Sequence, residues 1–223
     1  KLAYRETCME NGHMKQKRQC DYVHGIIFDM LSDKEKQTAC DELNELILQN
    51  DCHLNTGFLS TYELLRVLTD YGHADTAYSL MLQDTCPGWL YQIKHQATTI
   101  WESWDGMKEG REPKDSLNHY SFGTFAGWLI DRAAGIRVRE RNIRIQPFPD
   151  RRLGYVKANY NSPEGEIRSS WSYEDTIFRL EITVPANAEA EVIMPDGMRS
   201  LAGPGTHIFK CRTDQSKLHC RQQ

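Results

Sequence analysis

Residues 97–106, ATTIWESWDG, set one carboxylate, Glu102, between two tryptophans, Trp101 and Trp104, with Thr98, Thr99 and Asp105 close by. Indole faces stack on the C–H faces of sugar rings, and carboxylates and hydroxyls hydrogen-bond ring hydroxyls. A carboxylate can also activate the water that hydrolyses a glycoside. The same residues suit a structural role equally, with the tryptophans as core anchors and Glu102 as a solvated or ion-paired acid. The types alone leave both readings open.

Two further clusters carry chemistry-capable groups. SLNHYSFG offers Asn118, His119 and Tyr120 in a row. They would sit at the start of a helix capped by Ser116, where they can line a pocket or be incidental. HLNTGFLST brings His53, Asn55, Thr56 and Gly57 ahead of another helix, and its plain reading is a loop whose glycine supplies an unusual backbone angle. Trp89 and Tyr91, in PGWLY, suit a buried core as well as a sugar platform.

These clusters need a scaffold, and the apolar spacing supplies one. From Cys20 to about Gly135 apolar residues recur at helical intervals, as in Tyr22, Val23, Ile26, Ile27, Met30 and Leu31. SDKE predicts a helix capped by Ser32 with Glu35 answering, followed by the stripe Leu43, Leu46 and Ile47. STYELLRVLTDYG predicts another, with Ser60 and Glu63 as its capping box and Gly72 at its C-terminal end. HADTAYSLMLQD would be its partner, and SLNHYSFGTFAGWLIDRAAG a last helix whose Gly123 and Gly127 permit close approach. Short helices on short links are αα-hairpins, and several in succession make a bundle, solenoid or toroid.

After Gly135 the period falls to two. Val156, Ala158 and Tyr160 alternate with polar neighbours, as do Ile167, Ser169, Trp171 and Tyr173, and then Phe178, Leu180, Ile182 and Val184. NSPEG, PAN and PDG separate these strands as turns, so the C-terminal third reads as an antiparallel β-sandwich. The predicted fold is α then β, with the boundary at residues 135–142.

Composition narrows the function classes. The 27 Lys+Arg and 31 Asp+Glu give a formal charge of −4 with no basic stripe, which argues against nucleic acid as a partner. No stretch approaches the roughly 20 apolar residues of a membrane span, and the N-terminal residues lack the apolar core of a signal peptide. The chain opens on Lys1, which suggests a piece of a longer protein. Its seven cysteines (8, 20, 40, 52, 86, 211, 220) are odd in number and scattered without CxxC or Cys/His spacing, so neither a disulfide framework nor a zinc site is indicated, and no cofactor is expected. Reduced thiols in a bacterial cytoplasm fit this pattern. Pairing of Cys211 with Cys220 would fit an oxidising compartment such as the periplasm.

Taken in order, HLNTGFLST, YGHADTAYSLMLQDTCPGWLYQIKHQATTIWESWDG and DSLNHYSFGTFAGWL resemble the bacterial α-L-rhamnosidases of glycoside hydrolase family 78. The resemblance covers most of residues 19–135, and IRIQPFPDRRLGYVKANYNSPEGEIRSSW is similar to the β-domain that follows the family's catalytic barrel. It implies that residues 1–136 are the C-terminal half of an (α/α)6 toroid and residues 137–223 a C-terminal β-sandwich. It further implies removal of terminal α-L-rhamnose from a glycoside or oligosaccharide, with inversion and without metal. Glu102 would be the general base, facing an acid roughly 6.5–9.5 Å away. His119 would hydrogen-bond rhamnose hydroxyls, with Asn118, Trp101 and Trp104 as further substrate contacts.

Some family features are absent from this sequence. The acidic Asp…Arg-Asp-Glu-Arg motif that carries the general acid does not occur, and Gln96, Ser60 and Lys114-Asp115 stand where other residues are common. The isolated chain is therefore expected to be weak or inactive. A half toroid would also expose helix faces through which copies could associate as homo-oligomers. Two alternatives remain at this point: an (α/α)6 glycosidase for another sugar, and a non-catalytic sugar-binding remnant.

Overall fold

The structure is a computed structural model that describes residues 1–108 and 110–213. The chain divides into two compact units, Lys1–Phe125 and a second that begins at Ala126.

The first unit is helical. After α1 (Leu2–Cys8) and a short hairpin of β1 (Met9–Glu10) and β2 (His13–Met14), which the apolar spacing did not announce, come α2 (Gln19–Ile27), α3 (Asp33–Gln49), α4 (Phe58–Asp70), α5 (Ala74–Met81) and α6 (Trp89–Lys94). Helix α2 packs on α3 and α4, and α4 on α5. Tyr22, Val23, Leu43, Ile47, Leu64, Leu68, Tyr78 and Leu80 are all buried between them. These are the positions that helical periodicity places on one face of each helix.

Helix α3 starts as expected. Ser32 is its N-cap and forms a reciprocal capping box with Glu35, whose carboxylate also takes a bidentate bond from Arg5 at 2.5 and 2.7 Å. Helix α4 starts three residues before its expected cap. Gly57 is the N-cap, and Ser60, already inside the helix, hydrogen-bonds His24 Nε2 at 3.0 Å. The Ser60–Glu63 spacing matched a capping box, but the preceding TGF had already turned the chain into helix. The C-terminal end of α4 follows expectation: Gly72 has φ +94, and the N–H groups of Gly72 and His73 return to the carbonyls of Thr69 and Leu68 in a Schellman closure.

The expected helix from Ser116 to Gly135 is mostly not there. Among the described residues of 97–120 there is no helix. Regular backbone resumes as a 3₁₀ turn at Ser121–Thr124, then α7 (Phe125–Trp128) and a π-helical turn at Leu129–Ala133. Ser116 caps no helix; its hydroxyl accepts from the Asn118 N–H and donates to the Asn118 carbonyl. A Cβ at Gly123 would meet Ile100 at an ordinary 3.4 Å, so close packing does not require that glycine.

The second unit is a sandwich of two four-stranded sheets. One has the order β10 (Gly205–Arg212), β7 (Ile177–Val184), β6 (Gly165–Glu174), β5 (Tyr155–Ser162). The other has the order β3 (Ile136–Arg139), β4 (Asn142–Ile145), β8 (Ala190–Ile193), β9 (Arg199–Ala202). Ile167, Trp171, Phe178, Leu180 and Ile182 from the first sheet and Ile143, Ile145, Ala190 and Val192 from the second make one core. The pairing is antiparallel throughout except between β4 and β8, which run parallel. Two β6 side chains reach the end of the π-helical turn: Trp171 Nε1 donates to the Ala133 carbonyl and Ser169 Oγ to that of Ala134, both at 2.7 Å. They satisfy carbonyls that a helix terminus leaves open. Gly135 then breaks away with φ +82, where a Cβ would fall 2.2 Å from the Pro147 nitrogen.

Cys8, Cys20, Cys40, Cys52, Cys86 and Cys211 are free thiols, and the proposed partner Cys220 lies outside the described residues. Among the described residues no helix is long and apolar enough to cross a membrane.

The Arg5 guanidinium, the Ser32 hydroxyl and the Ser32 N–H hold the Glu35 carboxyl far below its ordinary value of 4.5. A depressed folded-state value stabilises the native state fully above the unfolded value and loses that effect as pH falls through the folded one. Glu35→Ala is therefore expected to cost about 1 kcal/mol in urea melts at pH 7, with a penalty that shrinks as pH drops below about 4.

Candidate active site

Glu102 lies in the helix-free stretch that follows α6, and backbone pairing fixes it there. The Glu102 N–H donates to the Ser116 carbonyl at 2.9 Å, and the Ser116 N–H donates back to Glu102 Oε2 at 3.1 Å. The His119 N–H donates to the Ile100 carbonyl at 2.8 Å, and Thr99 Oγ1 donates to the Leu117 carbonyl at 2.6 Å. Two separate pieces of sequence, both singled out for their chemistry, are thus laced side by side. The carboxylate spends one oxygen on this lacing, and Oε1 has no protein partner among the described residues.

The flanking tryptophans have different positions. Trp101 is 3% exposed, and its backbone N–H donates to Oε1 of the buried Gln92 side chain at 3.2 Å. Trp104 stacks on Phe122 with ring centres 3.9 Å apart and meets Trp89 edge-on at 5.3 Å. Trp89 is itself buried and donates from Nε1 to the Phe122 carbonyl at 2.8 Å. A cavity of about 460 Å³ opens in front of this aromatic wall. Glu102, Trp104, Asp105 and Phe122 line it from one side of the sequence, and Thr56, Gly57, Phe58, Cys86 and Pro87 from the other.

Of the residues expected to contact substrate, Glu102 and Trp104 line this cavity, whereas Trp101 lies behind it in the core. His119 stands one ring away, stacked on Phe58 at 4.9 Å and an interplanar angle of 15°. Its Nδ1 accepts from the Ser121 N–H at 3.4 Å. Asn118 is exposed and does not line the cavity. His53 points its Nε2 to Thr85 Oγ1 at 2.7 Å and serves the packing of loops.

Phe58 and the lysine pairing of Asp105 escaped sequence reasoning. Phe58, the first residue of α4, is both a cavity wall and the stacking partner of His119; its signal was the TGF triplet, read as a loop. Asp105 is the second carboxylate of the cavity. Lys108, paired with it at 2.7 Å, and Lys114, at 3.4 Å, hold its carboxyl below the usual range. Burial pushes the neighbouring Cys86 thiol up. Among the described residues no group of three or more His, Cys, Asp and Glu is placed to hold a metal ion.

An aromatic-walled cavity with a half-free carboxylate on helical hairpins has the side-chain chemistry of a sugar site, and comparison with known proteins shows the family. Residues 3–133 match the bacterial α-L-rhamnosidase 6 hairpin glycosidase domain, and residues 141–209 match the bacterial α-L-rhamnosidase C-terminal domain. The chain belongs to the bacterial α-L-rhamnosidase family. An α-L-rhamnosidase of Formosa agariphila is 38% identical over 209 residues, which cover 89% of this chain and 23% of that protein. The native α-L-rhamnosidase of Aspergillus terreus superposes with a TM-score of 0.90 at 30% identity, over 95% of this chain and 26% of the other. The Streptomyces avermitilis α-L-rhamnosidase, solved in complex with L-rhamnose, gives 0.87 at 32% identity, over 95% and 23%. The chain thus spans about a quarter of the length of these relatives.

The bond from Trp101 to Gln92 ties the cavity's back wall to α6. Gln92→Met leaves that buried N–H without an acceptor, and Gln92 Nε2, which is itself buried without a partner, goes with it. The net cost expected in chemical denaturation is about 1 kcal/mol, toward the low end of the penalty for a buried unsatisfied donor.

Proposed function

We propose that this chain supplies the base side of a pocket that removes terminal α-L-rhamnose from glycosides or oligosaccharides, within a longer protein that supplies the acid. The observation that carries this reading is Glu102. Its backbone and Oε2 are fixed by Ser116, its Oε1 has no partner among the described residues, and it lines an aromatic-walled cavity in a family of rhamnosidases. A fixed carboxylate with one open oxygen can orient a water and take its proton as that water attacks the anomeric carbon.

The second carboxylate in the cavity helps assign the roles. A general acid must arrive protonated, but Lys108 and Lys114 favour the ionised form of Asp105. Asp105 is therefore unsuited to protonate a leaving group near neutral pH. The acid then comes from residues outside this chain, placed across the sugar at the separation an inverting reaction needs. In this reading residues 1–136 form the C-terminal half of the toroid and residues 137–223 the β-domain. Trp104 offers its indole to the sugar, His119 and Asn118 reach its hydroxyls from the rim, and Trp101 supports the wall.

In the full-length protein, Glu102→Gln is expected to lower kcat on p-nitrophenyl α-L-rhamnoside by about 10²–10⁴-fold with little change in rhamnose affinity. Near-normal turnover would remove Glu102 from the base role. The 223-residue chain alone is expected to release no p-nitrophenol above background, and turnover that depends on Glu102 would show that the acid lies within it.

A further inference from the structure

The outward face of the β10-β7-β6-β5 sheet is not flat. Inward positions of these strands carry Ile167, Trp171, Phe178, Leu180 and Ile182, so the alternate residues face out in cross-strand rows, three of which line a trough. One row is Tyr155, Ser172, Arg179 and Lys210; the next is Lys157, Ser170, Glu181 and Ile208; the third is Asn159, Arg168, Thr183 and Thr206. Only serines stand on the middle strand of the first two rows, between longer side chains on β5 and β7. The result is a trough along β6 of about 670 Å³. Its walls stand two strand spacings apart, roughly 10 Å, which admits a sugar ring more readily than a helix about 10–12 Å across.

The lining has the chemistry of a saccharide site. Hydroxyls of Ser170 and Ser172 make the floor, Asn159 adds an amide, and Tyr155, 64% exposed, presents a ring at one end. Its charge is opposite to that of the chain. Lys157, Arg168 and Arg179 line it against a single carboxylate, Glu181, while the whole chain is formally −4. Arg179 is satisfied by Glu181 at 2.7 Å and Arg168 by Glu166 at 2.6 Å. Lys157 has no carboxylate partner among the described residues, and its ammonium lies 5.8 Å from the centre of the Tyr155 ring.

We infer that this trough binds a short oligosaccharide bearing a carboxylate, with the sugar ring against Tyr155, its hydroxyls on Ser170 and Ser172, and its acid group on Lys157. The inference concerns the β-unit alone and is independent of the role of Glu102. The test is a calorimetric titration of the whole chain with trigalacturonate, with neutral galactotriose and a short single-stranded oligonucleotide alongside. Trigalacturonate is expected to bind at least about fivefold tighter than either. Its affinity should fall severalfold when NaCl is raised from about 0.05 to 0.5 M. Tyr155→Ala and Lys157→Ala should each weaken it by about fivefold or more, and Ser170→Phe, which fills the floor, should abolish it. His119→Ala should leave it unchanged. No binding of trigalacturonate, equal binding of galactotriose, preference for the oligonucleotide, full binding by Ser170→Phe, or loss in His119→Ala would each overturn the inference.

Discussion

Glu102 is placed by its own peptide. Irregular backbone must find hydrogen-bond partners somewhere, and the stretch after α6 finds them in residues 116–119 instead of in a helix. The rest of the candidate site follows from that pairing. It turns Trp101 inward toward Gln92, leaves Trp104 to stack on Phe122, and brings His119 to the face of Phe58. A helix through Ser116 would have satisfied the same backbone internally, and the carboxylate would then have had no anchor.

Two carboxylates share one cavity and differ only in their neighbours. Asp105 has lysines, which keep it charged and occupied. Glu102 has a backbone N–H on one oxygen and nothing from the protein on the other. Environments that separate the behaviour of similar groups are the usual way in which acid and base roles are divided. Here two acids three residues apart in sequence stand in different surroundings.

What was legible in the sequence was mostly local. The Ser32–Glu35 box, the glycine closure at Gly72 and the alternation of Phe178, Leu180, Ile182 and Val184 depend on neighbours within a few residues, and each is present. The Ser60–Glu63 pair matched the same local rule and misled, because Gly57 had already begun the helix. The parallel β4–β8 pair joins residues more than forty positions apart, which no periodicity reports. At the site, Glu102 and Trp104 were readable from their types. Phe58 and the lysines on Asp105 were not, since their proximity exists only after α4 and the 97–120 stretch fold together. Family resemblance carried what spacing could not: the order of motifs joined HLNTGFLST to ATTIWESWDG before any geometry did.

The segment between the two laced stretches is closed at its own base. Ser103 hydrogen-bonds Asp115, and the Lys114 N–H donates to the Gly106 carbonyl at 2.8 Å. Beyond that clasp, the loop tip contributes nothing to the lacing that holds Glu102. Loops so closed tolerate changes in length at small entropic cost. Over evolutionary time the rim on this side can therefore be lengthened, shortened or recharged to suit a different ligand while the carboxylate beneath it stays where it is.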